Sequence, residues 1–472
     1  MVISRWSTAL WFLIPLGLVV PITAVFINRV ELIALFFVTI AFVIYMTMGI
    51  KVLVKASTCL VIAFPDSSDA LIAWHMRGLI TWCVVATVFL AILGILSPRT
   101  KGKLPVVVKV AWIVLVTATF LEAWGSHEAS RLVINDVLIL APVLLAPFVL
   151  RAYGSFTAVE AIKLVVWGVS LHGLMLIPIF LLRDSVFSNI MIPGNPRIEF
   201  PNATLLVLVV PLLVYLIKKE GISFQNILHL CLAVFIEYCN QSRTVFFLTT
   251  FTVVVSMILT FRRDKLKLSI SLCFIAAVGL WMLTRLMDSR FAGSRILATS
   301  SAYARVLNDT FALQFLRENE MFGAGLGTQL RYYDADTYGK LYIQTPFIDN
   351  LWYSYLAKTG WIGMSVIAFA LVSIFISIIF VAFRRKSLLA SLLVFTFPVF
   401  VVASTASTVH LVRCVSVFLG FIVVYTTLLR VNEEEANRRR LETDTNDQGM
   451  VLNSLTSART GKTGVRSWGT LS

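Results

Sequence analysis

Apolar positions in this chain come in long blocks, many close to the roughly 20 residues needed to cross a bilayer, with short polar interruptions between them. Ala9–Phe26, Thr81–Leu96, Ile162–Leu182, Thr244–Phe261 and Gly363–Phe383 are examples. In hydrocarbon a backbone has to satisfy its own N–H and C=O groups, so each block predicts a helix. The fold expected is all-α: a polytopic transmembrane helical bundle with one large extracytoplasmic loop carrying amphipathic helices. The front of the chain resists a simple count, because Lys51 and Lys55 interrupt Leu32–Phe64 and Ala56–Phe64 is too short to span alone. The pattern therefore predicts about 12–14 helices. The first block follows Arg5 and lacks a small-x-small cleavage site, so it is expected to be an anchor.

The block pattern gives way twice. Between Arg285 and Ile348 lies the one long polar segment, and within it Ser301–Glu320 has a helical period. There Leu307, Phe311 and Phe315 form a stripe, with Arg305, Asn308 and Asp309 off it. Such a helix can lie along a membrane face. Beyond residue 430 come Glu433–Glu435, Arg438–Arg440 and a Ser/Thr/Gly-rich end, which predict a solvated, disordered tail. The domain reading is 1–429 as a membrane domain, including 285–349 as a large periplasmic loop, and 430–472 as a cytoplasmic tail.

Composition agrees with the pattern. Of 472 residues 58% are hydrophobic and 14% charged, which excludes an ordinary soluble domain. The net charge of +15 sits in short clusters between blocks: Arg99/Lys101/Lys103, Lys218/Lys219, Arg262/Arg263/Lys265/Lys267 and Arg384/Arg385/Lys386. This is the bias of cytoplasmic loops and not a nucleic-acid footprint. With those clusters inside, counting places Arg183–Asn202, Gln241–Arg243, Arg285–Ile348 and Ser407–His410 outside, and the tail from Arg430 inside.

Several motifs carry little. The six cysteines (Cys59, Cys83, Cys231, Cys239, Cys273 and Cys414) lie in apolar blocks with no paired spacing, so neither disulfides nor a thiolate metal site is indicated. Gly461-Lys462-Thr463 lacks the glycine that a phosphate loop needs at position 456, where Thr456 stands. Gly323-Ala324-Gly325-Leu326-Gly327 has no Lys-Ser/Thr after it and reads as a turn ending a helix.

The candidate chemistry lies in the outer segments. Arg197 precedes Phe200-Pro201-Asn202, Arg243 sits in a tight turn after Gln241-Ser242, and Arg305 lies on the amphipathic helix. An arginine at the bilayer boundary is costly without a partner or ligand, and a guanidinium fork suits phosphate. The alternative is that each snorkels or pairs with Glu199, Asp309 or Glu318. Asp349-Asn350 opens the block that ends in Gly360-Trp361-Ile362-Gly363. Asp349 reads either as a helix cap or as a proton acceptor, and the two are compatible.

Together these segments resemble the O-antigen ligase and O-antigen polymerase (Wzy-like) family of bacterial inner-membrane glycosyltransferases. The likeness lies in the order Arg197…Phe200-Pro201-Asn202, Ser242-Arg243, Arg305…Phe322-Gly323-Ala324-Gly325-Leu326-Gly327, and Asp349-Asn350-Leu351…Gly360-Trp361-Ile362-Gly363. It implies a polysaccharide repeat-unit polymerase in the inner membrane with its site facing the periplasm. The donor would be an undecaprenyl-pyrophosphate-linked glycan and the acceptor a glycan or lipid-linked sugar hydroxyl. Membrane lipid and polysaccharide export partners are implied, with no cofactor, metal or nucleic acid.

By that resemblance Arg243 and Arg305 bind and neutralise the pyrophosphate leaving group, and Arg197, Asn202, Arg290 and Asn350 bind substrate. The family's last motif usually begins His-Asn, where this chain has Asp349-Asn350. The base is therefore either Asp349 or His410, three residues before Arg413 in the last outer connection. Ligation to lipid A-core is the alternative within the class. A flippase or transporter is the alternative outside it; Asp136, Glu160 and Glu237 are its few candidate charges, and no internal repeat supports it.

Overall fold

The computed structural model describes residues 49–63, 82–96, 105–126, 128, 132–134, 136–137, 144–182, 203–240, 243–262, 264–287, 299–333, 342–345, 348, 350–385, 387–403, 428, 430–431, 434, 437–439 and 443. Its helices are α1 (Ile50–Ala63), α2 (Trp82–Leu96), α3 (Val106–Gly125), α4 (Ala146–Ala152), α5 (Ala158–Leu182), α6 (Leu206–Glu220) and α7 (Phe224–Asn240). They continue with α8 (Arg243–Phe261), α9 (Lys265–Met287), α10 (Thr299–Glu318), α11 (Leu351–Arg385) and α12 (Leu388–Ala403). Between α10 and α11 two short strands, β1 (Leu330–Tyr333) and β2 (Tyr342–Thr345), pair antiparallel with Leu330 opposite Thr345. The sequence pattern did not anticipate this ribbon, since strands of four residues carry too little period-2 signal to stand out from a polar loop.

Among the described residues the architecture is mainly helical, consistent with an all-α membrane protein. Among the described residues Val106–Gly125, Ala158–Leu181, Thr244–Phe261 and Trp352–Arg384 are long and apolar enough to cross a bilayer. The core of the bundle is α6. Leu206–Val214 and Leu216 are all buried, as expected of a helix that is apolar all round and sits among others. It packs against α5, α7, α8 and α12. The α6–α7 hairpin is set by two local devices. Gly221, at φ 89°, lets its N–H close back on the Ile217 carbonyl at 2.9 Å. Ser223 Oγ then caps α7 by accepting from the Asn226 amide at 3.2 Å.

In contrast, α3 and α11 present Ile113, Phe120, Leu121 and Trp124, and Phe369, Val372, Ile376 and Phe380, to the outside. That much apolar surface is a liability in water and the ordinary state of a helix that faces lipid.

Charged groups gather near the start of α5. Thr157 and Glu160 form a reciprocal capping box, with the Thr157 amide donating to Glu160 Oε2 at 3.0 Å and the Glu160 amide to Thr157 Oγ1 at 3.2 Å. Lys51 Nζ lies 2.9 Å from Glu160 Oε1 and 5.3 Å from the centroid of the Phe156 ring. Glu160 thus caps a helix and pairs with lysine. The C-terminal stretch docks here too: Arg430 donates to the Tyr153 carbonyl at 3.2 Å, Glu434 Oε1 accepts from the Ala158 amide at 3.3 Å, and Leu428 and Val431 are buried. The boundary drawn at residue 430, where charge density rises, therefore falls inside a packed stretch, because Leu428 and Val431 share one helical face.

Candidate functional site

The long polar segment and the first turns of α11 build one junction, and its parts can be assembled residue by residue. The helix begins at a cap. Asn350 Oδ1 accepts from the Trp352 and Tyr353 amides at 3.2 and 3.4 Å, which satisfies donors that a helix start leaves orphaned. Ser354 Oγ accepts from the Ile348 amide at 2.9 Å and donates to the Asn350 carbonyl at 2.9 Å, which locks the entering chain onto the first turn. The capping group is Asn350, one residue beyond the aspartate whose cap the sequence suggested.

Two turns later the helix breaks. Gly360 has φ 62° and ψ −168°, a region closed to residues with a Cβ. A break of this kind frees carbonyls before it and amides after it, and the stretch Glu320–Gly325 takes both. The Ala324 and Gly325 amides donate to the Ala357 and Lys358 carbonyls at 2.8 Å each. In return the Trp361 and Ile362 amides donate to the Glu320 and Met321 carbonyls at 3.0 and 3.1 Å. Such closeness requires glycine on both sides, since a Cβ on Gly323 or on Gly360 would overlap the other's backbone. At Gly363 a Cβ would meet side chains instead, first Thr359 of the same helix and then the Glu122 carboxylate of α3.

The run Phe322–Gly327 is therefore a turn in which the amides of Gly323, Ala324, Gly325 and Gly327 are already committed, which argues against a phosphate cradle. Its first step is a continuation of α10, the Gly323 amide donating to the Asn319 carbonyl at 2.7 Å.

Beneath the clamp is a charge pair that the sequence reading did not assemble. Lys358 Nζ lies 2.6 Å from Asp136 Oδ2, and the two side chains are 0% and 2% exposed. The same carboxylate oxygen accepts from the Gly327 amide at 2.6 Å. Ser126 Oγ adds a bond to the Leu326 carbonyl at 2.7 Å. The segment after α3 is thus stitched to the glycine turn, and the turn to α11. In the sequence Asp136 stands out only as a candidate charge for passage through the membrane, and a lone lysine in a long helix gives no sign of a partner 222 residues away.

A small core holds α10 against this junction. Ala312, Leu330, Ile348 and Ala357 are buried together, with Phe315 and Tyr353 packed on them. Asn308 is fully buried, although it lies off the expected Leu307/Phe311/Phe315 stripe. Ala312 and Phe315 of α10 pack with Ala357 and Tyr353 of α11, whereas Phe311 stacks under the Arg331 guanidinium at 5.2 Å.

For the remaining candidates the structure gives less. Arg243 is the first residue of α8, directly after the end of α7 at Asn240 with only Gln241-Ser242 between. Arg305 lies in α10, at a position seven residues before Ala312. The side chains of both are outside the described set, as are Arg197, Asn202, Arg290, Asp349 and His410 entirely. One buried acid stands close to the Arg243 turn: Glu237, in the last turns of α7, has neither carboxylate oxygen hydrogen-bonded among the described residues. Of the four segments singled out by sequence, the structure brings together the glycine run and the Asn350–Gly363 stretch.

No protein-family model matches this chain, and no curated protein does so either.

Proposed function

We propose that this chain is a multi-pass glycosyltransferase of the bacterial inner membrane that polymerises polysaccharide repeat units. It takes a glycan from undecaprenyl pyrophosphate and gives it to a sugar hydroxyl at the periplasmic face. The observation that carries this reading is the meeting of two of the four family-like segments, Phe322–Gly327 and Asn350–Gly363, in one hydrogen-bonded junction at the head of an apolar helix. A junction at a helix head, beside the first turns of a membrane-facing helix, suits a substrate with a polar head and a hydrocarbon tail. The orientation rests on the basic clusters, which put this polar segment outside and the tail inside.

In the step proposed, the acceptor oxygen attacks the anomeric carbon of the donor glycan. The bond from that carbon to the pyrophosphate oxygen breaks, and undecaprenyl pyrophosphate leaves with the electron pair. Arg243 and Arg305 neutralise the charge that grows on it, which is the role for which a planar fork is suited. Asp349, or else His410, takes the hydroxyl's proton. Asn350, Arg197, Asn202 and Arg290 bind the sugars and the phosphates.

The test uses the purified full chain in lipid with an undecaprenyl-pyrophosphate repeat unit as donor. A ladder of lengthened lipid-linked glycan supports the polymerase. Transfer only to lipid A-core makes the protein a ligase, and movement across the bilayer with no new glycosidic bond makes it a flippase. Sidedness is read separately: a cysteine at Asp336 should react with a membrane-impermeant thiol reagent in intact spheroplasts, and labelling only after lysis would overturn the orientation.

A further inference from the structure

The Asp136–Lys358 pair is the most deeply buried ion pair among the described residues, and stability alone explains it poorly. Desolvating two charges costs about as much as their attraction returns, and an apolar pair of similar volume often does as well or better. What an ion pair supplies and an apolar pair does not is a unique register. Asp136 Oδ2 serves two donors from two different segments, Lys358 Nζ on α11 and the Gly327 amide on the glycine turn, each at 2.6 Å. A slip of α11 by one residue would bring Ala357 or Thr359 to that oxygen and bury the carboxylate beside no cation. A slip of the turn would strand it from Gly327. The bonds of the clamp would all be lost together, because they span the same two segments.

We propose that Asp136 and Lys358 are positioning residues of the transfer site, fixing the stretch between Asn350 and Gly360 in the one register that chemistry needs. This inference rests on the transferase reading for its link to catalysis, though not for the register itself. Lys358 lies two turns after Asn350, with the Ala357 carbonyl held by the turn and its side chain in the small core with Ile348. An axial or rotational slip at Lys358 therefore moves the helix start, and with it residues 349 and 350. Displacements of about 1 Å at a reacting geometry cost on the order of 100-fold in rate.

The experiment compares the full chain with the double variant Asp136→Leu/Lys358→Met in lipid nanodiscs, by thermal unfolding, amide exchange and glycan transfer. The double variant leaves no charge uncompensated and strands only the Gly327 amide, so it should stay folded with a modestly lowered thermal midpoint. Amides of Ala324, Gly325, Trp361 and Ile362 should exchange faster, and kcat should fall by about 100-fold with donor KM little changed. A double variant with unaltered exchange and unaltered kcat would reduce the pair to a stabilising contact. Asp136→Glu gives a second reading should the double variant fail to fold. It keeps both charges and moves the oxygen by one methylene, so it should stay folded and still lose kcat; full kcat in it overturns the proposal. An unmodified protein that transfers no glycan removes the transferase reading alone, and the exchange comparison still decides whether the pair sets the register.

Discussion

Two regions of this molecule are held together in opposite ways. Around α6 the contacts are mainly side chain against side chain, with Val207, Leu208, Leu213 and their neighbours almost wholly excluded from solvent. At the junction of the glycine turn and α11 the contacts are backbone amides to backbone carbonyls, with one shared carboxylate beneath. Apolar packing is tolerant, since volume and pattern suffice and neighbours adjust. A backbone clamp at a helix break is intolerant: each bond needs its own amide in place, and Gly360 leaves no room for a Cβ. The first arrangement suits a scaffold in hydrocarbon, where nearly any well-packed apolar surface will do. The second suits a place where a few groups have to be held in one geometry.

The difference can be broken most sharply at the proposed proton acceptor. Asp349→Asn should reduce glycan transfer by ~100-fold to ~10,000-fold, the loss typical of removing a general base. Unfolding should not change, because the helix cap belongs to Asn350. Asp349→His should keep measurable transfer and His410→Ala should be mild. An active Asn variant beside a dead His410→Ala variant moves the base to His410.

A cavity in the scaffold tests the other side of the comparison. Leu213→Ala, in the most buried helix, should cost about 2–5 kcal/mol of stability and lower the thermal midpoint. Transfer per folded molecule should stay near the unmodified value. A specific loss of turnover without loss of stability would tie the core to the chemistry and dissolve the contrast.

Smaller still is the strain of a side chain at the helix break. Gly360→Ala forces a positive φ and an overlap with the turn, and holding the φ alone costs about 1–3 kcal/mol. It should also speed amide exchange at Trp361 and Ile362. Unchanged exchange would mean the clamp does not need glycine there.

The smallest expected effect is Asn350→Ala, which removes the cap for about 1 kcal/mol. Asn350→Asp should restore most of that stability. If it restores stability and not transfer, Asn350 acts on substrate as well as on its helix.

Much of this was legible in the chain before any tertiary contact was known. Spans such as Thr244–Phe261 and the core of Ala158–Leu182 follow from the length of apolar blocks alone, because hydrocarbon admits no backbone that leaves its polar groups unpaired. A helix near Ser301–Glu320 was legible as well, and the structure has α10 at Thr299–Glu318. Which of its faces is buried was not, since partial burial of Leu307, Phe311 and Phe315 and full burial of Asn308 depend on what packs opposite.

Composition and hydropathy thus determined the class of this protein, because the solvent that a helix needs is written in its own residues. Only tertiary structure decided that the amides of the glycine turn are spent on Ala357 and Lys358, and that Lys358 is answered by Asp136. The physical reason is range. A span is a local property of one segment, whereas a clamp and a buried charge pair are relations between segments far apart in sequence, and no periodicity in either segment encodes its partner.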